Sequence, residues 1–272
     1  MDIVTFEQRF QRGLDAMTGM RFPAARRHYD ALCASFAPPR PAGMKLSDAR
    51  IEGVPVRHYR PAHCHPGCVL YVHGGGFSLG SLDSHQGIAE GLALSLEREV
   101  VSIDYQLMPE ARYADAMADC RRVFEALVPA ALVGDSAGAR LILDVMVSVE
   151  KVPPLGLIYP LVGMPVRSTL GPDAPLLSRE DVLAALALIE QDAPVVDGLQ
   201  PPASGVEVLA VGRDPLTAPL EHAVTAWRQG GADVGYHLAA DMLHGCLHAR
   251  ESLPVMAEAW QRFCRALGSR LR

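Results

Sequence analysis

The feature that most constrains this 272-residue chain is the pentapeptide Gly134-Asp135-Ser136-Ala137-Gly138. An apolar run, Ala130-Ala131-Leu132-Val133, precedes it, and a helix-like run from Ala139 to Met146 follows. A strand turning sharply into a helix here would hold the Ser136 hydroxyl out at the head of a sheet, on a strained backbone. Glycine is needed at 134 and 138 because a side chain at either position would meet the adjacent strand or helix. The helix N-terminus after the serine favours developing negative charge. Such a turn is a nucleophile elbow. A flexible Gly/Ser turn would share the five letters without the flanking strand and helix.

An elbow serine needs a base and an acid, and both have candidates downstream in the order Ser, Asp, His. The strand-like run Val206–Val211 leads to Asp214, and the strand-like run Val234–Leu238 is followed by a loop carrying Asp241 and His244. Ser136, Asp214 and His244 each fall just past the C-terminal end of a predicted strand, where open parallel sheets place their sites. Asp241 is too close to His244 in sequence to orient the ring easily from behind. Asp135, inside the elbow, is expected to point away from the histidine and to be structural. His85, His222, His237 and His248 belong to no paired motif and are expected on the surface or in loops.

Upstream, the buried-strand pattern Cys68–Val72 runs into His73-Gly74-Gly75-Gly76-Phe77. Consecutive glycines carry a high backbone entropy cost, which suits a loop that brings main-chain N–H groups close to a ligand, as an oxyanion hole requires. A plain Gly-rich turn is the simpler alternative. A phosphate loop is excluded by the absence of G-x-x-x-x-G-K-[ST] or G-x-G-x-x-G spacing.

These blocks, with Asp104-Tyr105, Pro109-Glu110, Asp214-Pro215-Leu216 and His244-Gly245, resemble the hormone-sensitive-lipase-like α/β-hydrolases, a family that includes bacterial acetyl esterases and short-chain carboxylesterases. The resemblance covers the chain from about Ala24 onward. It implies an α/β-hydrolase fold, with a mostly parallel central sheet, helices on both faces and a small helical cap. It implies Ser136 as nucleophile, Asp214 as acid and His244 as base, with the N–H groups of Gly75, Gly76 and Ala137 forming the oxyanion hole. His73, Gly74, Asp104, Glu110, Gly134, Asp135 and Gly138 match supporting motif positions. A small-molecule ester is the implied substrate, and the chemistry calls for no metal or organic cofactor. Relatives often pair, so a homodimer is compatible with the resemblance. An amidase, formamidase, lactonase or carbamate hydrolase would use the same groups. A ligand-binding receptor of this fold would have lost the histidine that His244 retains. Four positions depart from the family pattern: Ala139 replaces a usual glycine, Gln106 an arginine, Ala114 a proline and Cys246 an aromatic residue. The last is expected to widen or soften the pocket rim.

Composition narrows the partners. A formal net charge of −6 gives no electrostatic support for nucleic-acid binding. No apolar run reaches membrane-spanning length, and the N-terminal residues lack an apolar signal core, so a cytoplasmic protein is expected. Cys33, Cys120 and Cys264 fall in helix-like segments and read as core residues. Cys64 and Cys68 beside His63 and His65 lack the second half that a zinc site needs, and a surface loop is expected there.

The rest of the chain reads as one domain over residues 1–272, with cap segments at about 1–45 and 163–205. Ile3, Phe6, Phe10, Leu14 and Met17 mark one apolar helical stripe, and Pro23 to Phe36 a second helix. Residues 49–59 read as a strand or hairpin. Strands at 69–73, 100–105, 154–161, 206–211 and 234–238 alternate with helices at 84–96, 115–127, 219–230 and 253–271. Within the second cap segment, Ser178 and Asp181 form a capping box for a helix reaching about Gln191.

Overall fold

The computed structural model describes residues 1–196 and 198–271; Asp197, inside the second predicted cap segment, and Arg272 lie outside the described residues. Eight strands form one sheet: β1 (Lys45–Ile51), β2 (Val54–Arg60), β3 (His65–Val72), β4 (Arg98–Ile103), β5 (Ala131–Asp135), β6 (Leu155–Ile158), β7 (Gly205–Arg213) and β8 (Asp233–Leu243). Their spatial order is β1-β2-β4-β3-β5-β6-β7-β8. The first two pairings are antiparallel. From β4 through β8 every pairing is parallel. The helices α3 (Gln86–Leu96), α4 (Tyr113–Leu127), α5 (Ala137–Met146) and α7 (Thr217–Gln229) connect successive parallel strands, as parallel pairing demands. Two helices, α1 (Ile3–Asp15) and α2 (Phe22–Ala34), precede the sheet; α6 (Arg179–Ile189) lies between β6 and β7, and α8 (Pro254–Arg270) ends the chain.

Alternation along the central strands divides the core in two. Leu70, Val72, Leu132, Leu157 and Val208 pack with α4, α5 and α7. Val69, Tyr71, Ala131, Val133 and Leu209 pack with α1, α2, α3 and α8 on the other face. Strands covered on both sides have no polar face, which explains their continuous apolar runs. The last helix buries Met256, Ala259, Trp260, Phe263, Cys264 and Leu267, a single stripe at helical spacing.

Most differences from the sequence-based boundaries have local causes. The segment 49–59 is the hairpin β1–β2, extended at both ends and turned through Glu52 and Gly53, both at positive φ. Helix α4 starts at Tyr113 because Asp115 is its third residue, bonded back to the N–H of Arg112. Helix α7 starts two residues before Pro219, which the first turn tolerates because its N–H groups have no intrahelical acceptor. Strand β8 runs to Leu243, well past Leu238, because a register shift between Val211 and Arg213 lets pairing with β7 resume beyond Asp241. The segment beside Cys64 is not a free loop: His65 and Cys68 pair with β4 across a bulge.

The stripe on α1 docks as its spacing predicts. Asp2 caps the helix through the Thr5 N–H at 2.7 Å. Phe6 is fully buried, with ring centroids 5.2 Å from both Phe10 and Phe36. Truncating this ring leaves a cavity between α1 and the body. Phe6→Ala is therefore expected to lower stability by about 3 kcal/mol, measured as a shift in the urea unfolding midpoint. A midpoint equal to that of the wild type would show that α1 is not seated there.

Candidate active site

Four loops at the C-terminal ends of parallel strands converge. His73 directly follows β3, Ser136 follows β5, Asp214 follows β7 and His244 follows β8. Ser136 has φ 50° and ψ −118°, and its N–H donates to Ile158 O at 2.9 Å. That conformation is costly for a residue with a side chain and persists only where its surroundings enforce it. The enforcement includes close packing: a Cβ at Gly138 would stand 2.1 Å from Val72 O. Gly75, at φ 115°, similarly leaves no room, since a Cβ there would stand 2.3 Å from Leu79 O.

Ser136 Oγ lies 2.9 Å from His244 Nε2, and His244 Nδ1 lies 2.7 Å from Asp214 Oδ2. A carboxylate only accepts, so Nδ1 carries the proton and Nε2 presents its lone pair to the serine hydroxyl. The other Asp214 oxygen accepts the Leu216 N–H at 2.8 Å, and the carboxylate is wholly buried. Asp241 is exposed and the imidazole faces Asp214 instead. The Tyr159 ring lies against the imidazole, with centroids 4.5 Å apart. Ser136 and His244 share a cavity of about 460 Å³ with Gly75, Gly76 and Ala137. Phe10 and Leu14 of α1, Tyr29 of α2 and Val182, Ala185 and Leu188 of α6 line other walls of it.

A family model described as alpha/beta hydrolase fold matches residues 69–248, which span all of these loops. The chain is an α/β-hydrolase. It is similar to Esterase LipI of Mycobacterium tuberculosis, at 29% identity over 261 residues and 80% of each chain. Carboxylesterase NlhH of the same species is 29% identical over 250 residues, covering 80% of this chain and 78% of its own. The crystal structure of an esterase from the bacterial hormone-sensitive lipase family shares the fold, with TM-score 0.84 over 98% of both chains at 21% identity. The resemblance drawn from the motif blocks is upheld by these matches.

Behind the cavity of this α/β-hydrolase lies a buried polar layer. Asp135 Oδ1 accepts the Tyr71 hydroxyl at 2.5 Å and the Gly74 N–H at 3.0 Å, and Oδ2 lies 3.4 Å from His85 Nε2. Burial alone would raise the Asp135 pKa; the adjacent His85 and the Tyr71 bond outweigh it and hold the group below the usual carboxylate range. His73 Nδ1 donates to Gly74 O at 2.8 Å, and its ring stacks on Tyr105 at 4.5 Å and on His85 at 5.2 Å. Its Nε2 is buried and has no hydrogen-bond partner among the described residues. His85 in turn meets His248 edge-on at 4.8 Å.

The expectation of surface or loop positions holds only in part: His85 lies in the turn before α3, yet it is not at the surface, and His237 lies on β8. His85 and His248 are buried, and His248 reaches the cavity wall. His237 is largely covered and bonds Glu207 at 2.6 Å, while His222 is exposed as expected. Polar residues set in the apolar runs carried a usable signal: Tyr71 interrupts Cys68–Val72, and its hydroxyl needs a partner once buried. Tyr159, set in the apolar run 154–161, carried a signal of the same kind.

The motif departures also have structural outcomes. Cys246 is fully buried, accepts the Leu243 N–H at 3.3 Å and is not part of the cavity lining. Gln106 donates its N–H to Asp119 at 3.0 Å. Ala114 uses an N–H that proline lacks, donating to Asp192 beyond α6 at 3.2 Å. Asp104 follows β4, with its N–H bonded to Pro55 O at 3.0 Å, and Glu110 bonds Arg26 at 2.6 Å.

The buried histidines make stability depend on pH. Burial, reinforced by His85, pushes the pKa of His73 and of His248 down to about 3. Below the ordinary histidine value of about 6.5 the unfolded chain takes up protons that these folded imidazoles refuse. Stability therefore falls as pH falls from 6.5, by up to about 1.4 kcal/mol per pH unit for each group. Urea unfolding at pH 7, 6 and 5 should show this decline, and His248→Gln should lessen the slope by about one proton. A wild-type midpoint unchanged between pH 7 and pH 5 would contradict neutral burial.

Proposed function

We propose that this chain is a serine carboxylester hydrolase that cleaves short-chain esters through an acyl-enzyme on Ser136. The observation that carries this reading is the continuous relay from Ser136 Oγ through the His244 imidazole to Asp214, with links of 2.9 and 2.7 Å. A serine hydroxyl is a weak nucleophile until a base removes its proton during attack. In the proposed reaction Ser136 Oγ bonds to the carbonyl carbon while its proton passes to His244 Nε2. Asp214 holds the tautomer and stabilises the imidazolium. The carbonyl oxygen becomes an oxyanion received by the N–H groups of Gly75, Gly76 and Ala137. Collapse breaks the bond to the alcohol, which leaves with the proton from His244. Water then attacks the acyl-enzyme with His244 as base, releasing the acid and restoring the serine.

Esterase names among the relatives support the bond class. Support for short acyl chains comes from the cavity, whose walls include α1, α2 and α6. A buried methylene adds about 0.8 kcal/mol of binding where there is room, and a chain that outgrows the cavity forfeits that gain. On 4-nitrophenyl esters, activity is expected to peak between acetyl and hexanoyl and to fall by decanoyl. A maximum at palmitoyl would instead indicate a lipase.

Ser136→Ala should lower kcat by roughly 10⁴-fold or more and abolish labelling by a fluorophosphonate probe. Asp214→Asn should lower kcat by roughly 10⁴-fold while leaving the fold intact. Full activity in Ser136→Ala would remove the proposal. A screen of amides and lactones beside the esters tests the bond class with the same pair of proteins.

A further inference from the structure

The glycine loop is gripped from outside by one side chain. Arg26 of α2 donates from Nε to Ser78 O at 2.9 Å and from a terminal nitrogen to Met108 O at 3.0 Å. The same guanidinium makes a two-point contact with Glu110, at 3.0 and 2.6 Å. Ser78 closes the turn that begins at Gly75: the N–H groups of Ser78 and Leu79 donate to Gly75 O at 3.3 and 2.9 Å. Met108 is joined to the same turn, since its N–H donates to Phe77 O at 3.0 Å. One planar fork thus spans both strands of backbone that define the loop's position. The next turn of α2 adds a second tie, with Ser81 Oγ donating to Asp30 at 2.6 Å.

We propose that Arg26 is a positioning residue, which fixes the N–H groups of Gly75 and Gly76 for the oxyanion by clamping the carbonyls of Ser78 and Met108 to α2. The proposal rests on the esterase reading above and adds a residue that the motif blocks do not include. Arg26 is not among the residues that line the cavity. It acts by holding preorganised donors still, and a donor that drifts loses transition-state stabilisation before it loses ground-state binding. Glu110 in this view steers the guanidinium, whereas the two carbonyl bonds carry the positioning.

The test compares wild type with Arg26→Met, Arg26→Lys and Glu110→Gln. Two readouts are taken: hydrogen exchange of the peptide spanning residues 74–80, and kcat and KM on 4-nitrophenyl butyrate below 20 °C. Arg26→Met should speed exchange in that peptide roughly tenfold, leave β5 amides unchanged, and lower kcat roughly 10- to 100-fold with KM within threefold. Arg26→Lys, which cannot span both carbonyls and the carboxylate, should fall between the two, and Glu110→Gln should stay within about threefold of wild type. Unchanged exchange in Arg26→Met would overturn the clamp, and faster exchange with an unchanged kcat would overturn its role in positioning. Exchange that rises equally in every peptide would mark a purely structural residue and also overturn the proposal. A wild-type protein inactive on all esters would defeat the esterase reading instead, while the exchange data would still decide whether the clamp exists.

Discussion

The buried carboxylate of Asp135 joins the two halves of the site. It is the residue before Ser136, at the end of β5, yet one of its oxygens accepts the Gly74 N–H from the loop after β3. The Tyr71 hydroxyl, from the strand that feeds that loop, shares the same oxygen. An ionised group in an apolar core persists only if its acceptor capacity is filled, and here the neighbouring loop fills it. The distance between elbow and glycine loop is therefore set by a charge-assisted bond of fixed length. Gly74 is required for this approach, because a Cβ there would stand 2.5 Å from Asp135 Oδ2.

The aromatic and imidazole rings behind this carboxylate extend its reach. His73, His85 and His248 form a run of ring contacts from the glycine loop to the cavity wall. His248 then meets Phe10 of α1 at 6.1 Å and lies 3.6 Å from the sulfur of Cys33 in α2. The N-terminal helices thus rest on the layer that holds the elbow and the loop. The Cys33 thiol is pushed up by burial, so it packs as a small apolar group and does not compete with Ser136.

How much of this was legible in the sequence depended on whether the signal was local. The elbow, the glycine loop, and the order of Ser136, Asp214 and His244 all follow from short patterns whose geometry is set by their own strand ends. Strand and helix alternation gave the parallel sheet for the same reason. The end of β8 was missed because a bulge, paired with β7, carries the strand on toward His244. The burial of His85 and His248 was missed because neither lies in a motif; both are buried by elements more than a hundred residues apart in the chain. Arg26 belongs to the same class: its partners at positions 78, 108 and 110 are remote, and no spacing rule links them.

Helix α2 serves the site in two ways at once. Its Tyr29 is part of the cavity wall, while Arg26 fastens it to backbone carbonyls beneath and Asp30 to the Ser81 hydroxyl. A wall that doubles as a strut cannot swing aside without disturbing what it supports. Helix α6, its first turn closed by the capping pair Ser178–Asp181, borders the same cavity through Val182, Ala185 and Leu188. The outline of the cavity and the placement of the glycine loop are thereby coupled through one helix, so a change that shifts α2 alters both together.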